Sequence, residues 1–143
     1  MLLKQLFVTT IAATLACSIG QADQGKAKIT IPVTRTAATN GKQMYVNYCA
    51  PCHGMDGKGQ GPVAPSLKTA PTDLTVLSRN NHGRFLDTHV VAVLQNGIDI
   101  PSHGTAEMPV WGPILGKLNR QNTQDRMLRV SNLVRFLDSL QTK

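Results

Sequence analysis

The stretch Cys49-Ala50-Pro51-Cys52-His53-Gly54 decides how the rest of the chain is read. Cys-x-x-Cys-His is the pattern of covalent c-type haem attachment, and the spacing has a mechanical reason. Two thiols three positions apart near a helix end can reach the two vinyl groups of one porphyrin. The next residue, His53, then projects its imidazole toward the iron. The chain's own composition gives a chance expectation of roughly 0.002 such motifs. Two rivals fit the surroundings less well. A zinc site needs a second pair of ligands at metal-binding spacing, and His82, His89 and His103 form none with one another. A thioredoxin-type Cys-x-x-Cys needs a βαβ pattern, and nothing here reads as a run of strands. The reading is one covalently held haem c on Cys49 and Cys52, with His53 as an axial ligand.

Working outward, Thr39 or Asn40 can cap a helix running to Cys49, with Met44, Tyr45 and Tyr48 on its apolar face. From Gly54 to Asp73, four glycines and three prolines punctuate a long loop, unusual unless it wraps something. A second helix opens at Asp87, buries Val90, Val91, Val93 and Leu94, and stops at Gly97. Ile98 to Gly112 reads as a further loop, holding Met108-Pro109 and Trp111. A last helix starts near Asn122 or Thr123, with Met127, Val130, Leu133, Val134, Leu137 and Leu140 at three- and four-residue steps. The expected fold class is all-α, with three main helices and long loops.

The 143 residues suffice for a leader and one domain. Residues 1–22 read as a signal peptide: Lys4 in the n-region, an apolar stretch from Leu6 to Ile19, and small residues at Gly20 and Ala22. The apolar stretch is shorter than the ~20 residues a membrane span needs. Membrane attachment through the N-terminal segment is the alternative, and a lipid anchor on Cys17 is only weakly suggested. Cleavage would leave Cys49 and Cys52 as the sole cysteines, too few for a disulfide framework. Residues 23–38 read as an N-terminal arm or linker and 39–143 as the domain. Export places the protein in the periplasm or an equivalent compartment.

The net charge of +7 includes Lys4, the only charged residue of the leader. With two ionised propionates the exported form would carry about +4. A basic surface of this kind serves solubility and can also steer an acidic redox partner. The basic residues are scattered, and an exported protein does not point to nucleic acid. Candidates for a sixth iron ligand are Met44, Met55, Met108, Met127, His82, His89 and His103. Met44 and Met127 fall on apolar helical stripes, Met55 lies too near the proximal side, and His89 is expected on the wetter side of its helix. Met108, His82 and His103 remain.

From residue 39 to 143 the chain resembles a class I cytochrome c, on Gly41, Tyr45, Cys49-x-x-Cys52-His53-Gly54, Gly61-Pro62 and Met108-Pro109 followed by Trp111-Gly112. The resemblance implies that Gly41 lets the first helix cross closely over the last, beside Tyr45 and facing Phe136 or Leu133. It implies that the Pro62 carbonyl accepts a hydrogen bond from the second nitrogen of His53, and that Met108 is the sixth ligand. His/Met ligation raises the potential relative to two histidines and leaves no open position for a substrate. The implied function is single-electron transfer between redox protein partners such as a dehydrogenase or oxidase, with no small-molecule substrate. An electron-relay subunit of an exported dehydrogenase or oxidase, and an open-iron haem protein binding ligands or peroxide, are the alternatives. Trp111, Arg79, Asn80 and Arg84 are candidate propionate partners, and His103 could brace the Met108 loop. Lys58, Lys68, Lys117 and Arg120 are candidate docking charges.

Overall fold

The computed structural model describes residues 33–97, 108–119 and 122–142. Among them are four helices and no strand. Gly41–Met44, Tyr45–Cys49 and Ala50–His53 follow one another without a break as α1, the middle segment being π-helical. Helix α2 is Asp87–Asn96, α3 is Trp111–Lys117 and α4 is Thr123–Ser139. Short 3-10 turns at Ala64–Ser66, Leu74–Val76 and Arg79–Asn81 punctuate the long loop between α1 and α2. The three helices expected from periodicity are present, so the all-α class stands. The leader, most of the N-terminal arm, His103 and Arg120 lie outside the described residues.

Helix starts follow local side-chain chemistry. Asn40 Oδ1 accepts from the Gln43 amide at 2.9 Å, and Asn122 Oδ1 accepts from Gln124 and Asp125, satisfying amides that have no partner inside the helix. Gly97, at φ 59°, ends α2. In α1 the amide of Ala50 reaches back five residues to the carbonyl of Tyr45, the widened turn of a π-bulge. The extra residue shifts the helical phase, so that Met44, Tyr45, Tyr48, Cys49 and Ala50 are all buried.

Helix α3 is an addition to the sequence expectation. Pro113 reads in sequence as loop punctuation, but it sits in the helix's first turn, where a missing amide proton costs nothing. Gly112 permits the close approach to α2: a Cβ there would lie 2.6 Å from the Gln95 carbonyl oxygen. Gly41 does the same at the crossing of α1 and α4, where a Cβ would meet the Asn132 carbonyl oxygen at 2.1 Å. Beside it the rings of Tyr45 and Phe136 are 5.1 Å apart and tilted by 48°, within the contact range of aromatic pairs. The core gathers these residues with Leu94, Trp111, Leu115, Val130, Leu133, Val134 and Leu137.

Two expectations are corrected here. Met127 is 57 % exposed rather than core, because the inward place in the first turns of α4 goes to Arg129, which is 6 % exposed. That guanidinium is satisfied by Asp125, by the Thr36 carbonyl at 2.8 Å and by the Thr36 hydroxyl at 3.1 Å. Thr34 to Ala38, read as the end of an arm, form instead a strap docked on the helices. Thr36 is buried, Tyr48 donates to the Thr34 carbonyl, and Asn132 donates to that of Ala38.

Candidate haem site

The C-terminal end of α1 carries Cys49, Cys52 and His53, and the following loop closes over it. The last four carbonyls of a helix have no partner within it. Here all four are taken in order: Ala50 by the amide of Gly54, Pro51 by Val63, Cys52 by Gly61 and His53 by Gly59, at 2.7 to 3.0 Å. Gly61 must be glycine for this fit, since a Cβ would lie 2.3 Å from the Pro51 carbonyl oxygen. Gly59, at φ +80°, would drive a Cβ to 2.2 Å from that of Pro71. The glycine spacing after the cysteine motif therefore encodes a clamp on the motif's own backbone.

His53 is buried, and its Nδ1 lies 2.9 Å from the carbonyl oxygen of Thr72. The resemblance assigned this acceptor to Pro62, which is exposed and does not provide it; the partner lies ten residues further on. Thr72 is held from its C-terminal side. The amide of Leu74 donates to Gly57, and Asp73 accepts from both the amide and the hydroxyl of Thr75. The end of α4 adds the amide of Thr142 on the Thr75 carbonyl and Gln141 on that of Leu74. A backbone carbonyl carries no side-chain signature, which is why the sequence motif pointed elsewhere. An Nδ1 donating to Thr72 fixes the tautomer that leaves Nε2 free as a ligand.

Burial lowers the pKa of His53, partly opposed by the bond to Thr72, and so favours the neutral ring a metal requires. The thiol of Cys49 is pushed up to about 12, by burial first and the proximity of Cys52 second. Burial also raises Cys52. Both thiols are free, and neither has the lowered pKa of a redox-exchange cysteine. This chemistry fits covalent capture of a haem better than thiol–disulfide exchange. Among the described residues no cluster of three or more His, Cys, Asp or Glu could hold a metal on its own.

On the Thr72 side lies a crevice of about 320 Å³ lined by Thr72, Leu77, Asn80, Leu86, His89 and Val90. His89, expected on the wetter side of its helix, is half-buried and faces this crevice. His82 is exposed in a left-handed turn at φ 54°, and Met55 is 69 % exposed. Met44 is wholly buried in the core. Met108 is half-buried and packs against the core cluster. Trp111 is 3 % exposed, its ring stacked on Tyr48 at 5.5 Å with 25° between the planes. Of the remaining polar candidates, Arg79, Arg84, Lys58 and Lys117 are exposed.

A buried imidazole and two unpaired thiols on one helix end, clamped by the loop that follows, define a c-type cytochrome domain. Residues 36–125 match the family model described as cytochrome c oxidase, cbb3-type, subunit III, and the chain belongs to this family of c-type cytochrome domains, which bind haem c covalently and transfer electrons. No curated protein matches the chain. A similar solved structure is a chain of the reducing HAO-like protein complex Kustc0457/Kustc0458 of Kuenenia stuttgartiensis, 24 % identical with a TM-score of 0.46. That match covers 79 % of this chain and 46 % of the other, so the chain spans about half its length.

Proposed function

We propose that the protein is an exported monohaem cytochrome c that carries single electrons, its haem joined to Cys49 and Cys52 and its iron held between His53 and Met108. The haem supplies one-electron exchange between ferric and ferrous iron. The observation that carries the reading is the buried His53, whose Nδ1 is engaged by the Thr72 carbonyl so that Nε2 alone is left to ligate. Trp111 and Pro62 are proposed to border the macrocycle, Trp111 from the core and Pro62 from the loop that closes over α1. A thioether at Met108 favours reduced iron and fills the position a substrate would need.

Substituting Met108→Ala should remove the weak near-infrared sulfur-to-iron charge-transfer band of the oxidised protein and lower its potential. An unchanged spectrum would refute the assignment of Met108. Rapid, complete binding of carbon monoxide to the reduced unmutated protein at neutral pH would favour an open iron instead.

The family description names an oxidase subunit, and this favours a second reading in which the domain is the fixed electron relay of an exported complex. Co-purification with a larger redox partner supports that reading. A monodisperse monomer that exchanges electrons freely supports the mobile carrier. Removal of residues 1–22 would appear as a mature N-terminus at Asp23. Among the described residues no helix is long and apolar enough to cross a membrane.

A further inference from the structure

The aromatic pair Tyr48 and Trp111 joins two segments that the haem motif itself does not connect. Tyr48 immediately precedes Cys49 on α1, and Trp111, three residues beyond Met108, is the first residue of α3. Their rings stack at 5.5 Å, and both are almost fully buried. The tyrosine hydroxyl is spoken for as well. It donates to the Thr34 carbonyl and lies 2.9 Å from the Thr36 hydroxyl. Thr36 in turn receives two bonds from Arg129, whose Nε is paired with Asp125. A strap outside the haem motif and a buried arginine on α4 thus fix the in-plane orientation of one ring, and that ring supports the start of α3.

We propose that Tyr48 is a positioning residue for Met108: held by the Thr34–Thr36 strap and Arg129, its ring fixes Trp111 and with it the short segment that brings Met108 to the iron. This rests on Met108 being the sixth ligand. The physical reason is that a thioether is a weak, neutral ligand whose bond to iron opens easily, so the geometry of the segment behind it sets how often it opens. The two residues between Met108 and Trp111 are Pro109 and Val110, and the proline stiffens the link further.

The test is the rate of carbon monoxide binding to the reduced, full-length holoprotein. Carbon monoxide must wait for the Met108 bond to open, so at saturating gas the rate reaches a plateau equal to the opening rate. Tyr48→Phe keeps the ring and removes the hydroxyl's anchoring; Thr36→Val removes one of that hydroxyl's two partners and leaves the Thr34 carbonyl. Each is expected to raise the plateau about fivefold, the factor corresponding to one lost buried hydrogen bond. Trp111→Phe, which shrinks the supported ring, is expected to raise it by at least as much. Leu140→Ala, a truncation beside Gly57, controls for general loosening and should leave the plateau within twofold. Plateaus within twofold of the unmutated protein for both Tyr48→Phe and Thr36→Val would overturn the inference alone, provided the unmutated protein shows a plateau and the near-infrared band. If the unmutated protein shows neither, the Met108 reading fails and this inference falls with it. If Tyr48→Phe does not fold, Thr36→Val decides the matter.

Discussion

Burial acts on four titratable side chains of α1, Tyr45, Cys49, Cys52 and His53, in one direction, toward the uncharged form. It lowers the pKa of His53 and raises those of Cys49, Cys52 and Tyr45, the last pushed from 10.0 to about 12 by burial first and the nearby Cys49, Asp56 and Asp73 after. Tyr45 is wholly inaccessible, and its hydroxyl donates to the Gly54 carbonyl at 2.7 Å, directly after the haem motif. Between the unfolded value and the folded one, the unfolded chain binds fewer protons, so stability falls as pH rises from about 10 toward 12. Thermal unfolding of the holoprotein across that window should show a loss that Tyr45→Phe reduces. The same substitution should cost about 1 kcal/mol at neutral pH, from the lost bond to Gly54. An alkaline slope identical in both proteins would show that Tyr45 is not the group responsible.

At the scale of elements, the strap at residues 33–38 and helix α3 mark where the sequence pattern fell short. Periodicity finds the longer amphipathic helices, and it found α2 with its stop at Gly97 and α4 with its cap at Asn122, whereas the start of α2 has no side-chain cap. It does not see a two-turn helix beginning Trp-Gly-Pro, or an extended strap that is held by Tyr48 of α1 and by Arg129 and Asn132, more than ninety residues away on α4. Nor does it see that Arg129 is the inward residue, since its burial depends on Thr36 as much as on Asp125. The strap yields a strong expectation. Arg129→Ala leaves Asp125 and the Thr36 carbonyl unpaired in a largely buried place, at about 3 kcal/mol, or on the order of 10–20 °C in Tm for a domain of this size. Calorimetry of the holoprotein checks this, and a loss below about 1 kcal/mol would mean the strap is only loosely held. The close crossing at Gly41, by contrast, was implied by the family resemblance carried by Gly41 and Tyr45.

For the whole molecule, the fold is a way of bringing a helix end, a glycine-rich clamp and the C-terminal helix around one imidazole. The cysteine motif and the two long helices were plain in the sequence because their chemistry resides in side chains. The acceptor for His53 was not, because the group that does the work is a main-chain carbonyl set in place by Gly57, Asp73 and Gln141. The positive net charge, +7 for the full chain and about +4 for the exported form with two ionised propionates, is also a property of the whole molecule, and it makes encounter with charged reagents sensitive to salt. Oxidation by a small anionic reagent should be faster than by a cationic reagent of similar potential at low ionic strength. The two rates should converge as salt is raised, and equal rates at low salt would show that the basic residues do not surround the electron-transfer edge.

The claim on which the rest depends is that Cys49 and Cys52 hold a haem covalently while His53 ligates it. The most direct measurement is the intact mass of the purified holoprotein before and after acid–organic extraction, with Cys49→Ser and Cys52→Ser alongside. The expected result is a mass raised by one haem that extraction does not remove, and at most one remaining link in each variant. A haem that extracts completely from the unmutated protein, or a chain of unmodified mass, would contradict it.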